Sequence, residues 1–313
     1  MKIIFFGTPH FAQDVLKHLL DNNFNIVAIV TRPDQPQGRS LKLKPSPVKQ
    51  FLIEEELDIP LFQPAKASSQ EFVDILKTFK PDFFVVVGYG EILKQNLLDV
   101  PLIAPINIHT SLLPKYRGAA PIQRAIMAGE KEIGITIMQM NAQMDAGEIL
   151  MQKSMNIDMD ETFEQIEKKM IDMASVAICE VLSDFDQHKI NSKKQDISLI
   201  THAPKIEVQD CQIDFENSAF SVQRQIMALS PKPAAWINVE ISGQVKRIKI
   251  FHAVFSNKIV NKGFLEADQG NILLGCQDGS LSINFLQPEG KSFMSAKDFI
   301  NGHKIHFPIK ILF

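Results

Sequence analysis

Lys2-Ile3-Ile4-Phe5-Phe6-Gly7-Thr8-Pro9 opens the chain, and a second apolar run, Ile26-Val27-Ala28-Ile29-Val30, follows after the length of one helix. Residues 2–6 form an unbroken apolar stretch of the kind that makes a strand covered on both faces. Thr8 is placed to cap a helix and Pro9 to stand at its first position. Phe11, Ala12, Val15, Leu16, Leu19 and Leu20 then recur at helical spacing. With a second strand over 26–30 this is a β-α-β unit, the opening of an open, mostly parallel, Rossmann-like α/β sheet. Gly7 stands alone after the first strand, with no Gly-x-Gly-x-x-Gly, so the turn lacks the fingerprint for a dinucleotide pyrophosphate.

The same alternation of elements continues outward. Helices are expected over 47–57 and 69–79, and a buried strand over 82–87 that ends in Gly88-Tyr89-Gly90. In Ile106-Asn107-Ile108-His109 the polar residues are two apart, so on a strand the amide and the imidazole emerge on one side. Ser111-Leu112-Leu113-Pro114 and a basic, Gly-containing turn follow, and Pro121 opens a helix. Residues 133–140 alternate like a strand and lead into Asn141-Ala142-Gln143-Met144-Asp145-Ala146-Gly147. Open α/β sheets place their sites at strand ends, so Asn107, His109 and Asp145 are expected to meet in one cleft. A long amphipathic helix is expected over 162–185, opened by Thr162-x-x-Gln165 as a capping box, with its methionines as core filler.

The chain has 313 residues, 45% of them apolar and 22% charged, with a formal net charge of −3. That is ordinary globular composition, and any basic partner surface must be local. Between Thr31 and Lys49 such a surface is present: Arg32, Arg39, Lys42, Lys44 and Lys49 face one acid, Asp34, among four prolines and a glycine. The stretch is too long for a routine strand-to-helix connection. Cys179, Cys211 and Cys276 are far apart and odd in number, so neither a disulfide framework nor a metal-ligand spacing is read. No signal peptide and no apolar run near the roughly 18 residues of a membrane span is read, so a cytoplasmic protein off the membrane is expected. The pattern lapses after Lys189. The division expected is a first domain over 1–188, a linker over 189–205 and a second domain over 206–313. In the last of these, short alternating runs at 236–241, 247–251, 272–274 and 281–285, separated by glycine turns, suggest a small β-barrel.

Asn107-x-His109, Ser111-Leu112-Leu113-Pro114, Arg117-Gly118-Ala119-Ala120-Pro121 and Asp145-Ala146-Gly147 together resemble the formyltransferases that use 10-formyltetrahydrofolate. Gly7-Thr8-Pro9, Pro45-Ser46-Pro47-Val48-Lys49, Gln287-Pro288-x-Gly290-Lys291 and Met294-Ser295-Ala296 are similar to the branch of that family that acts on methionyl initiator tRNA. The resemblance covers nearly the whole chain. One departure is Pro231-Lys232-Pro233, where the family often has Pro-Trp-Pro; Trp236 is kept.

The resemblance implies an OB-like barrel in the C-terminal domain, 10-formyltetrahydrofolate as co-substrate, methionyl initiator tRNA as partner, and no metal. It also implies that Ser111, Leu112, Leu113 and Pro114 line the folate pocket together with the backbone at Gly88 and Tyr89. The basic loop, with Gly38-Arg39 matching the family's Gly-Arg, would contact tRNA through Arg39, Lys42 and Lys44. A monomer is expected. Formyl transfer to an amine passes through a tetrahedral intermediate, for which an amide N–H and an imidazolium are suitable oxyanion donors. Asn107 and His109 are therefore assigned to the oxyanion. Asp145 is assigned to orienting His109 and handling protons, since a carboxylate beside an imidazole favours the protonated ring. Two alternatives stay open: a folate enzyme acting on glycinamide ribonucleotide or a nucleotide amino-sugar, and a non-catalytic RNA-binding relative.

Overall fold

The apolar N-terminal run is a strand whose residues Ile3 to Phe6 are wholly buried. The computed structural model describes residues 1–37, 42–186, 191–241, 243–302 and 306–312. In chain order, β1 (Lys2–Gly7), α1 (His10–Asp21) and β2 (Asn25–Val30) are followed by a hairpin of β3 (Gln35–Gln37) and β4 (Lys42–Lys44). Then come α2 (Pro47–Glu54), β5 (Leu61–Phe62), α3 (Gln70–Thr78), β6 (Phe83–Val87), α4 (Gln95–Leu98) and β7 (Ala104–His109). Next are α5 (Pro121–Met127), β8 (Glu132–Gln139), β9 (Ile149–Asn156) and α6 (Phe163–Asp186). The remainder holds α7 (Ala219–Leu229), β10 (Ala235–Ile241), β11 (Gln244–Ser256), β12 (Phe264–Asp268), β13 (Asn271–Gly275) and β14 (Ser280–Pro288). It ends with β15 (Met294–Ser295), α8 (Ala296–Gly302) and β16 (Ile309–Leu312). The chain forms two compact units. One gathers Met1–Gly118, Gly134–Met155 and Glu167–His202; the other gathers Ala119–Ile133, Asn156–Ile166 and Ala203–Phe313.

The first unit is built on a seven-stranded sheet in the order β5-β2-β1-β6-β7-β8-β9. Pairing is parallel from β5 through β7, and β8 pairs antiparallel with β7. Phe6 packs its ring on Phe84 and edge-on against Tyr89, with Leu76, Leu97 and Val73 in the same cluster. The expected Rossmann-like, mostly parallel sheet is therefore present. The cap of α1 differs from expectation: the helix starts at His10, Pro9 is its extended N-cap, and no side chain caps it. Thr8, one residue too early to reach the helix amides, donates its Oγ1 proton to Tyr89 O at 2.9 Å. The box before α6 is as expected: Thr162 N–H donates to Gln165 Oε1 at 2.9 Å and Gln165 N–H to Thr162 Oγ1 at 3.4 Å. Among the described residues no helix is long and apolar enough to cross a membrane.

The second unit carries a closed antiparallel barrel. β11, β10, β16, β12, β13 and β14 pair in that order, and β11 pairs again with β14 to complete the ring. Closure removes the open edges that short strands would otherwise present. The expected strands are here, several of them longer than alternation indicated; β11 extends through a pairing irregularity around His252, where the inward/outward pattern breaks. The sequence reading did not anticipate α7. It is capped by Ser218, whose Oγ accepts from Ser221 N, and by Asp278, which accepts from Ala219 N.

On α7 Arg224 is 2% exposed, with no carboxylate bonded to it among the described residues. Its Nε–H donates to Ile126 O at 3.0 Å, at the C-terminal end of α5, and Nη1 donates to Met159 O at 2.8 Å. Gln223 Nε2 also donates to Met159 O. Ile126 O also accepts from Gly129 N–H at 2.9 Å, so the buried guanidinium gives each carbonyl a second donor and ties α7 to α5 and to the Met159 segment. Arg224→Met keeps most of the volume but removes the charge-assisted bonds that tie α7 to Ile126 O and Met159 O, so the unit should lose about 1–3 kcal/mol. Trp236, the only tryptophan, lies on β10 in this unit and reports it by fluorescence. Its urea midpoint should fall in the variant; an unchanged midpoint would remove Arg224 from the stabilising set.

Candidate active site

β7 places Asn107 and His109 as its alternation requires. Asn107 is half-buried, and among the described residues its side-chain amide bonds to no protein group; His109 is 6% exposed. The His109 Nε2–H donates to Tyr116 O at 2.9 Å. A carbonyl can only accept, so Nε2 carries the proton and the ring turns Nδ1 to Asp145, whose Oδ1 lies 3.7 Å away. That separation is too long for a hydrogen bond, and it is an ion pair only when the ring is protonated at both nitrogens. Asp145 Oδ2 accepts from Gly118 N at 2.8 Å. The structure thus brings His109, on the strand that carries Asn107, against Asp145.

The route to this arrangement is less direct than strand ends alone suggest. Because β8 runs against β7, Gln139 lies beside Ile106, and it is Thr136 that lies beside His109. The loop after β8 must return over the sheet to bring Asp145 to the imidazole. Gly147 makes that return possible: a Cβ there would sit 1.6 Å from Gln139 O. Asp145 itself has φ +51, a left-handed conformation uncommon for residues other than glycine and asparagine.

Thr136 is wholly buried and organises the turn after His109. Its Oγ1 donates to Ser111 O at 2.7 Å and accepts from Leu113 N and Gln152 Nε2, both at 3.0 Å. Ser111 Oγ is engaged with Lys115 O at 2.6 Å. Leu113 is buried against Met138 and Ile149, while Leu112 and Pro114 are half-buried. Gly88 is exposed with φ +54, so the backbone is open to close approach there. The Tyr89 side chain instead belongs to the core, and burial, with Glu91 nearby, pushes its phenol up to about 12.

Sequence reasoning passed over Tyr116, Gly118, Thr136 and the 191–202 stretch as parts of the site. Tyr116 N–H donates to Thr201 Oγ1 at 2.8 Å and Arg117 N–H to Thr201 O at 2.9 Å. Gln195 bonds both to Arg117 and to the Asp145 loop. In the basic loop, Lys42 and Lys44 are exposed on β4, whereas Arg39 lies outside the described residues. Arg32 pairs with Glu91, and Lys49 pairs with Asp34 at 2.8 Å. The Gln63 amide and the Lys49 ammonium hold the Asp34 carboxyl below its usual range. Among the described residues no group of three or more His, Cys, Asp or Glu is arranged to hold a metal ion.

Residues 1–182 match the family described as formyl transferase, and residues 205–304 its C-terminal domain. The chain belongs to the formyl transferase family. It is 43% identical over 304 residues to the methionyl-tRNA formyltransferase of Protochlamydia amoebophila, covering 96% of this chain and 95% of that protein. It is 37% identical over 310 residues to the methionyl-tRNA formyltransferase of Thermotoga maritima, covering 97% and 96%. Among solved structures it is similar to WlaRD, a sugar 3N-formyl transferase crystallised in the presence of dTDP and 5-N-formyl-THF. There the TM-score is 0.66 at 19% identity, over 93% of this chain and 99% of that one, and the likeness is one of fold.

The close approach at Gly147 gives a direct check. Gly147→Ala must push the loop off Gln139 O, and Asp145 with it. Amide exchange at Gly118, whose N–H is held by Asp145 Oδ2, should quicken by roughly tenfold or more. Unaltered exchange at Gly118 would show that the loop keeps its place without the glycine.

Proposed function

We propose that this protein transfers a formyl group from 10-formyltetrahydrofolate to the α-amino group of methionyl initiator tRNA, a step in translation initiation. The observation that carries the reading is the His109 ring fixed between Tyr116 O and Asp145, with the Asn107 amide two residues back on the same strand. The names of the two relatives, similar over nearly their whole length, support the tRNA substrate. Folate supplies the formyl carbon. Exposed Gly88 and the half-buried Leu112 and Pro114 offer the surface that would hold it, with Ser111, Leu113 and Tyr89 contributing backbone.

In this reading Asn107 and His109 stabilise the oxyanion that develops as the amine attacks the formyl carbon. The Asn107 amide is available for it. Both His109 ring nitrogens face protein atoms, so one contact must yield, and the looser is at Nδ1, where Asp145 stands 3.7 Å away; to donate to the oxyanion from Nδ1 the ring must carry a proton on both nitrogens. Asp145 holds the ring from that side and receives the amine proton, directly or through water. All three groups come from one chain, which suits a monomer, and a step in translation initiation calls for a cytoplasmic enzyme. The catalytic groups belong to residues 1–188, and 206–313 contributes RNA contacts, with 189–205 joining them and lending Gln195 and Thr201 to the surroundings of the site. In the basic loop Arg32 and Lys49 are held by carboxylates, so contact with tRNA phosphates falls to Lys42, Lys44 and Arg39.

The deciding assay compares labelled formyl transfer to charged initiator tRNA with transfer to glycinamide ribonucleotide. Transfer only to the ribonucleotide would overturn the tRNA reading. His109→Ala should lower kcat by on the order of 10²-fold or more with folate binding little changed; near-normal turnover would remove His109 from the mechanism. Lys42→Ala should weaken tRNA binding and reduce its log–log salt slope by about one. An unchanged slope would return β4 to an ordinary solvated surface.

A further inference from the structure

We infer that Gln195 is a positioning residue for the formyl transfer, setting the Asp145 backbone and through it the carboxylate that faces His109. The inference rests on the proposed formyl-transfer reading. Within the polar run 191–199 every residue is exposed except Gln195, which is half-buried. Its Oε1 accepts from Arg117 Nη2 at 2.7 Å and Nε at 3.2 Å. Its Nε2 donates to Asp145 O at 2.9 Å and Gly147 O at 2.8 Å. A guanidinium only donates and a carbonyl only accepts, so the carboxamide fits in one orientation and all four of its bonding positions are filled.

The partners are the two segments that make the site. Arg117 lies between Tyr116, whose carbonyl accepts from the His109 Nε2–H, and Gly118, whose N–H donates to Asp145 Oδ2. Gln195 therefore closes a ring of contacts: Gln195 to Asp145, Asp145 to Gly118, and Arg117 back to Gln195. Asp145 needs such a hold. Its φ of +51 is sparsely populated for a non-glycine residue and persists where surrounding bonds determine it. With the carboxylate oxygen 3.7 Å from Nδ1, a backbone shift of an ångström changes which group the imidazole meets.

The test is a double-mutant cycle on the full chain with labelled formyl transfer to methionyl initiator tRNA. Gln195→Ala should lower kcat about tenfold or more, with KM for the tRNA within roughly twofold. Gln195→Glu keeps an acceptor for Arg117 but turns a carboxylate oxygen onto the Asp145 and Gly147 carbonyls, so it should be at least as slow. In an Asp145→Ala background Gln195→Ala should change kcat by less than about twofold, because the group it acts through is gone. A full, multiplicative loss in that background, or normal kcat in the single variant, would overturn the inference. Gln195→Met, close in volume, replaces the alanine variant if that one fails to fold. Gly118 amide exchange needs no activity and separates the two ideas. If the wild-type chain transfers no formyl group, the functional reading fails. Unchanged Gly118 exchange in Gln195→Ala defeats the positioning role by itself, and exchange faster by about tenfold supports it.

Discussion

Thr136 stands opposite His109 in the antiparallel pairing of β7 with β8, and its buried hydroxyl joins Ser111 O, Leu113 N and Gln152 Nε2. Side chains on a strand alternate between faces, so a slip of one residue would turn Thr136 away and leave those groups without it. Burial makes such a loss costly, since each stranded polar group carries its own desolvation penalty. The register thus fixes the turn that follows His109. That turn carries Tyr116, and Tyr116 O fixes the imidazole. The antiparallel direction also obliges the Asp145 loop to double back, and the missing Cβ of Gly147 lets it lie against Gln139.

The electrostatic arrangement follows from the same geometry. The imidazole is held at both ends by different means: a hydrogen bond at Nε2 and, at Nδ1, a looser contact that is an ion pair only when both ring nitrogens are protonated. The tight end sets ring orientation and tautomer. The loose end is the contact that must open for a substrate oxygen to reach the ring. Asn107 differs again, with an amide that no protein group occupies among the described residues. A site with one donor held, one contact loose and one amide available has the asymmetry that the proposed transfer requires.

Much of this was legible in the sequence, for identifiable reasons. Strands buried on both faces read as unbroken apolar runs, so the β-α-β opening and the strand ending at Val87 could be seen directly. Two polar residues spaced two apart in Ile106-Asn107-Ile108-His109 announced a shared face. Less accessible were features that depend on tertiary partners. Strand direction leaves no trace in alternation, so the return path of the Asp145 loop was hidden. Gln195 sits in Asn-Ser-Lys-Lys-Gln-Asp, whose composition reads as solvated chain; its inward turn comes from Arg117, distant in sequence. In α7 the buried face includes Gln223 and Arg224, so polar residues interrupt the stripe that would have marked the helix. The basic loop shows the opposite error. Its charge count overstated the cations available to a partner, because Arg32 and Lys49 find carboxylates in the fold.

Arg117-Gly118-Ala119-Ala120-Pro121 reads as one motif, but it does two physical jobs. The first compact unit ends its opening segment at Gly118, and the second begins at Ala119. Arg117 and Gly118 serve the site, one through Gln195 and the other through its N–H to Asp145. Ala120 donates its N–H to Ala203 O, and Pro121 starts α5, whose C-terminal carbonyl is held by Arg224 on α7. Changes at Arg117 or Gly118 therefore act on the position of a carboxylate. Changes at Ala120 or Pro121 act on the stability of the unit that Trp236 reports. A loss of activity from the first pair with an unchanged Trp236 transition, and a shifted transition from the second, would separate positioning from folding inside five consecutive residues.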